Sequence, residues 1–268
     1  MATATLADRL FTPKKPIPRS VELVVNWIIP LIVLFGWWLV NHLAVVRPEF
    51  LPSPADVWLR FVSAASDGTL LHHTSVSLNV IIWGFVLSSL VAVPLGVLMG
   101  SFKIVAAAVE PIVNFMRYLP VTSMIPLLIL WIGIGVSQKI SVIFLGTFFQ
   151  QIVMFADVSR QVPEDLFNVS YTLGASRSQI VRRVMLPATL PGVMDTLRVT
   201  MGWAWTYLVV AELVAADAGL GYMSLQGMRG FDSAAIFVAI FVIGFLGLVS
   251  DLLFKLLKDW ALPWTHVR

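Results

Sequence analysis

Arg117 sits in the stretch "RYLPVTSMIP", residues 117–126, with Thr122 and Ser123 as its polar neighbours and no other charge nearby. A guanidinium keeps its charge and offers paired N–H donors, the geometry that carboxylates and other oxyanions fit. Glu212, in "LVVAELVAAD", is a second isolated charge among apolar residues, placed to guard a passage or to pair with Arg117. Trp203, Trp205 and Tyr207 crowd the run just before it. Ionisable groups in such surroundings are costly and normally face a protein interior or a wet cavity, so Arg117, Thr122, Ser123, Trp205 and Glu212 are candidates for a solute pathway. The structural alternatives are an Arg117–Glu110 ion pair and plain aromatic packing. Arg198 reads as structural, or as a side chain reaching toward an interface.

Other chemistries find little support. There is no cysteine, hence no disulfide, thiolate ligand or thiol nucleophile. The four histidines are His42, His72, His73 and His266, and the adjacent pair would point about 100° apart on a helix, so no metal site is expected. No phosphate loop, HExxH or GxSxG occurs, which excludes ATP hydrolysis by this chain itself and the hydrolases those motifs mark.

The positioning elements must live in lipid. Of 268 residues 58% are hydrophobic and 12% charged, and the mean hydropathy is +0.88. A water-soluble domain of this size carries far more surface charge. Net charge +3 and a pI near 9.4 fit membrane topology better than nucleic acid, and no nucleic-acid partner is expected. Six spans are expected, at about 24–46, 75–100, 104–134, 139–158, 191–215 and 233–257, each long enough for ~30 Å of hydrocarbon. The third is broken by Pro111, Pro120 and Pro126, and a broken span is tolerated only where it is buried or lines a cavity. In the second, Gly84, Ser88, Ala92, Gly96 and Gly100 form one smooth seam for a neighbouring helix. "SPADVWLRFV" reads as a short amphipathic helix at the interface, and the glycine-rich "DAGLGYMSLQGMRGFDS" as an external loop.

Residues 1–20 lack a signal-peptide core and read as a cytoplasmic tail. With both termini inside, Arg9, Lys14, Lys15, Arg19, Lys103, Arg160, Arg177, Arg182, Arg183, Lys255, Lys258 and Arg268 are cytoplasmic. Only Arg47, Arg60, Lys139 and Arg229 are external, so the positive-inside rule is satisfied.

The polar insert 163–187 is then cytoplasmic. Pro163 suits a first helical position, Glu164 and Asp165 favour the helix dipole, and Gly174 can take a left-handed stop. Ser176 and Gln179 match a capping box that starts a second short helix, which Pro187 should end. Such an exposed hairpin, with Leu173 and Ala175 at its tip, asks for a protein partner.

These residues resemble the binding-protein-dependent ABC importer permeases, whose cytoplasmic motif is E-A-A, three residues, Gly, nine residues, Ile, one residue, Leu-Pro. Gly174, Val184, Leu186 and Pro187 keep that spacing, whereas Asn168, Val169 and Ser170 replace E-A-A. "EFLPSPADVWLRF", "VPLGVLMG", "LLILWIGIGVSQKI" and "VVAELVAADAGLGYM" extend the likeness to the nitrate/sulfonate/taurine/bicarbonate branch of the type I importer fold. The resemblance implies an all-α integral membrane permease of the inner membrane, with six transmembrane helices and cytoplasmic coupling helices. It implies no cofactor of its own, because ATP is bound by two partner ATP-binding subunits. Leu173, Gly174, Ala175, Ser176, Leu186 and Pro187 would contact those subunits. A second permease copy, identical or paralogous, membrane lipid, and a periplasmic or lipid-anchored substrate-binding protein complete the expected partners. The rival reading, an ATP-independent secondary transporter or channel, would call for coupling carboxylates or an internal repeat, and no convincing repeat is present.

Overall fold

The structure, a computed structural model, describes residue 12 and residues 17–266. Of the expected tail 1–20, residues 1–11 and 13–16 lie outside the described residues, and residues 19 and 20 already belong to the first helix. Among those described every regular element is helical. Helix α1 is Arg19–His42, α2 Pro54–Ser66, α3 Thr69–Ser101, α4 Lys103–Met116, α5 Val121–Ile132 and α6 Val136–Arg160. The insert forms α7, Glu164–Thr172, and α8, Arg177–Ile180. Then come α9, Leu186–Ala215, α10, Leu220–Arg229, and α11, Ser233–Ala261.

The core begins at the seam of small residues. It packs α3 face to face on α6, the most extensive helix pairing in the molecule. A Cβ on Gly96 would stand 2.6 Å from both the Ile152 carbonyl oxygen and the Phe155 Cβ, and one on Gly100 2.3 Å from the Ala156 carbonyl oxygen. Only hydrogen at these positions lets the two backbones meet. Polar groups buried in the same contact are satisfied within it. Thr147 donates to Ser88 Oγ (2.8 Å), Ser88 to Gln151 Oε1 (2.9 Å), and Gln151 Nε2 to Thr200 Oγ1 on α9 (3.1 Å). In lipid no water would replace these bonds, so the chain of hydroxyls and amide fixes α3, α6 and α9 in register.

Around this trio sit weaker attachments. Ser53 and Asp56 form a capping box that starts α2, and Pro54 takes its first turn. Helix α2 then packs Val57 and Ala64 into a cluster with α10 and α11, and Arg60 pairs with Asp232 at 2.8 Å. It is therefore held by protein on one face, more than an interfacial reading alone requires. Helix α1 buries no residue. Trp37 near its end stacks on Phe237 and donates to the Pro52 carbonyl at 3.0 Å.

Among the described residues four helices, α1, α3, α6 and α11, are long and apolar enough to cross a membrane, and the α4–α5 pair, bent by 94°, makes a fifth if counted as one span. The break comes at Pro120 alone, which caps α5; Pro111 and Pro126 are absorbed inside helices. The expected fifth span, 191–215, lies on the 30-residue α9, which is not among the helices apolar enough by composition. Asp195, Arg198 and Glu212 lower its hydropathy, and each is paired internally: Asp195 with Lys258, Arg198 with Asp251 through bonds of 2.5 and 2.6 Å, and Glu212 with Ser77.

Replacing Gly96 by leucine should cost at least ~1–3 kcal/mol by overpacking. Gly36→Leu on α1, where nothing lies within 4 Å, is the control and should stay within about 0.5 kcal/mol. Thermal unfolding of the two variants in detergent reads the difference, and equal midpoints would contradict the tight α3–α6 contact.

Candidate functional site

Two places in the molecule are built for more than packing: a cavity at the α4–α5 break and the projecting hairpin. The break arises because Pro120 cannot continue α4, and the backbone turns sharply over residues 117–120. Arg117 is left at the corner, beside a cavity of about 370 Å³ whose walls include Gly146, Phe149 and Gln150 of α6 and Trp203 and Tyr207 of α9. Its Nη2 donates to the Tyr118 hydroxyl at 3.0 Å, and its Cζ lies 4.8 Å from the centre of that ring. Its Nε is shut away from solvent without a hydrogen-bond partner. Neither expected ion pair forms, because Glu110 meets Arg160 at 3.4 Å and Glu212 is engaged elsewhere.

Gly146 makes the cavity possible. A Cβ there would come within 2.6 Å of the Tyr207 ring, so that ring lies directly on the α6 backbone. Trp203 and Tyr207 are i and i+4 and share a helix face. Trp205 falls on the opposite face, where it is buried with Phe85, Ile143 and Leu208, and its indole N–H reaches Ser250 at 3.4 Å. Of the five pathway candidates the structure therefore brings only Arg117 to this cavity. Thr122 and Ser123 lie exposed on the first turn of α5. The i, i+4 spacing of Trp203 and Tyr207 was the signal available in the sequence. Gln150 gave none, since nothing in the pair Gln150–Gln151 says which amide faces inward.

Glu212 belongs to a separate construction. It is fully buried, accepts from Ser77 Oγ and from the Gly221 N–H, both at 2.7 Å, and so fastens the start of α10 to α3 and α9. Leu220 N–H donates to Ser77 Oγ at 2.8 Å and Gly219 N–H to His73 Nδ1 at 3.1 Å. Gly219, with φ +124°, has room for no side chain, since its Cβ would sit 2.3 Å from the Glu212 carboxyl carbon. The expected glycine-rich loop is thus mostly the helix α10, with Leu220, Gly221, Met223 and Gly227 buried. Outside it, the exposed Asp217 faces buried Lys139 at 3.5 Å; its own backbone N–H and that ammonium hold its carboxyl below the usual range.

The hairpin follows its sequence closely, with two corrections, at Pro163 and at Pro187. Gly174 has φ +78° and closes a Schellman motif: its N–H meets the Tyr171 carbonyl at 2.9 Å and Ala175 N–H the Ser170 carbonyl at 3.0 Å. The Ser176–Gln179 capping box is formed. Pro163 is the residue before the helix, one position earlier than expected. Pro187 does not end the second helix. A π-helical turn, Val181–Met185, carries α8 straight into α9, and Pro187 falls in the first turn of α9. The widened turn accommodates a residue that lacks an N–H and would clash with the carbonyl four residues back. Leu186 is partly exposed beside it, Leu173 at the tip is 81% exposed, and Val169 and Tyr171 are also open.

The sequence from 92 to 263 matches the family model "Binding-protein-dependent transport system inner membrane component". A probable ABC transporter permease protein of Brucella melitensis is 38% identical over 229 residues, covering 85% of this chain and 92% of that protein. The taurine transport system permease protein of Escherichia coli is 31% identical over 254 residues, covering 93% and 92%. A chain of a bacterial alginate ABC transporter, crystallised with an alginate pentasaccharide-bound periplasmic protein, superposes with a TM-score of 0.60 at 14% identity, covering 91% of this chain and 96% of that one. At that identity the likeness speaks to the fold, and the helical break, the hairpin and the sequence matches agree with it. The chain belongs to the family of binding-protein-dependent transport system inner membrane components, as the permease of an ABC importer and not an enzyme.

Proposed function

We propose that this permease forms the translocation path of an ATP-driven importer for a small anion of the nitrate, bicarbonate, taurine or other sulfonate class. A periplasmic or lipid-anchored binding protein delivers the anion, and two ATP-binding subunits drive a pair of permeases, identical or paralogous. Both termini and the 163–187 hairpin face the cytoplasm, as the distribution of lysine and arginine favours.

One observation carries the reading: the second arm of the hairpin and α9 form one continuous helical run. The exposed tip around Leu173, Gly174, Ala175 and Ser176 is fixed by the Schellman turn and the capping box, so a partner meets a preformed surface. Helical backbone runs unbroken from Arg177 through the π turn, past Leu186 and Pro187, into α9. From Leu186 to Trp203 the helix rises about 26 Å at 1.5 Å per residue. A push on the hairpin by a closing ATPase pair therefore arrives at Trp203 and Tyr207, on the wall of the Arg117 cavity.

Gly174 tests this through its backbone. Nothing in this chain stands within 4 Å of a Cβ placed there, so within the permease a substitution acts through φ, at roughly 1–2 kcal/mol for a residue that resists the left-handed region. Gly174→Trp should lose assembly with the ATPase or lower the uptake obtained per ATP hydrolysed, whereas Gly174→Asn, which tolerates that φ, should keep most of both. Normal uptake by Gly174→Trp in reconstituted transporter would remove the hairpin from the mechanism.

A further inference from the structure

Arg117 stands at its cavity with no carboxylate partner among the described residues. Among the described residues the ion pairs are Arg60–Asp232, Lys139–Asp217, Arg160–Glu110, Arg160–Asp157, Arg198–Asp251 and Lys258–Asp195; none includes Arg117. No aspartate or glutamate lines its cavity. A guanidinium has five N–H donors, and the hydrogen bond to Tyr118 uses one. The buried Nε uses none. Gln150 and Tyr207 line the same cavity, and the amide of the one and the hydroxyl of the other have no hydrogen-bond partner among the described residues, while Phe149 and Trp203 supply aromatic walls. Donors and apolar walls converge on one space. An unpaired arginine in an apolar bundle is expensive, and a bound anion is what would offset it.

The geometry points to this cavity as an intramembrane subsite for an organic oxyanion, a sulfonate or carboxylate with a short apolar body. Arg117 meets the charged head with paired N–H groups, Gln150 and Tyr207 complete its hydrogen bonds, and Phe149 and Trp203 enclose the body. A bare inorganic anion would use the donors and leave the aromatic walls idle. This deepens the importer reading and rests on it only for the direction in which the anion travels on.

Modification of Arg117 by phenylglyoxal, read by peptide mass spectrometry on the full chain in native membrane vesicles, tests the subsite without knowing the transported substrate. Ethanesulfonate at ten times its half-protecting concentration should slow the Arg117 adduct about tenfold by simple occupancy. Nitrate should protect only at much higher concentration, ethyltrimethylammonium should not protect, and the adduct at Asp251-paired Arg198 should be unaffected by any of the three. Trp203→Ala should raise the half-protecting concentration of ethanesulfonate severalfold and leave that of nitrate unchanged. Failure of ethanesulfonate to protect, equal protection by the cation, or an Arg117 that never reacts overturns the subsite. Nitrate protecting as well as ethanesulfonate, or an indifferent Trp203→Ala, overturns its organic character. Protection without ATP-dependent uptake would instead remove the importer reading and leave the subsite standing.

Discussion

A Cβ on Gly100 would lie 2.3 Å from the Ala156 carbonyl oxygen, and one on Gly84 2.7 Å from the Ile143 Cβ, so α3 and α6 touch backbone to backbone over most of their length. In a bilayer this contact cannot draw on the hydrophobic effect, because lipid tails are as apolar as leucine. It depends on close van der Waals approach and on hydrogen bonds that water does not compete for. The Ser88–Thr147–Gln151–Thr200 chain supplies those bonds and brings in α9. Everything with functional character is mounted on this trio. The cavity uses α6 and α9 for two of its walls, Glu212 projects from α9 toward α3, and the hairpin is the extension of α9.

That arrangement separates what is fixed from what is attached lightly. Helix α1 buries nothing, and α4 and α5 meet at a 94° corner. Arg117 stands at that corner, between the α4–α5 pair and the trio, in a cavity that α6 and α9 also line. The Glu212 cage works the other way. By accepting from Ser77 Oγ and from the Gly221 N–H, Glu212 fastens the far end of α9 to α3 and to the start of α10.

Much of this was legible in the residues. The small-residue seam, the Schellman glycine, the capping box and the break in the third apolar region each have a local cause that the sequence states directly. What the sequence hid was tertiary. Pro187 looked like a terminator because its missing N–H is a local fact, while the π turn that accommodates it is a property of the continuous helix. The charges of the 191–215 stretch lower its hydropathy, and they find partners on α3 and α11 that no local pattern announces. Trp205 and Trp203 are chemically alike, and only the direction of each on α9 separates a core residue from a cavity wall. Arg117 stood out as an isolated charge, but that Glu110 would be taken by Arg160 is a matter of three-dimensional competition.

An ATPase that moves this permease through the hairpin must touch its tip, and photo-cross-linking from Leu173 reads that contact. The chain has no native cysteine, so Leu173→Cys can be labelled at one position with a maleimide benzophenone in membranes. Phe231→Cys, at an exposed position between α10 and α11, serves as the comparison. Irradiation should join Leu173 to an ABC ATP-binding subunit, with a yield that changes when ATP is added, and should not join Phe231 to that subunit. An adduct from Phe231 in place of Leu173, or a Leu173 probe that captures only lipid and permease, would contradict it.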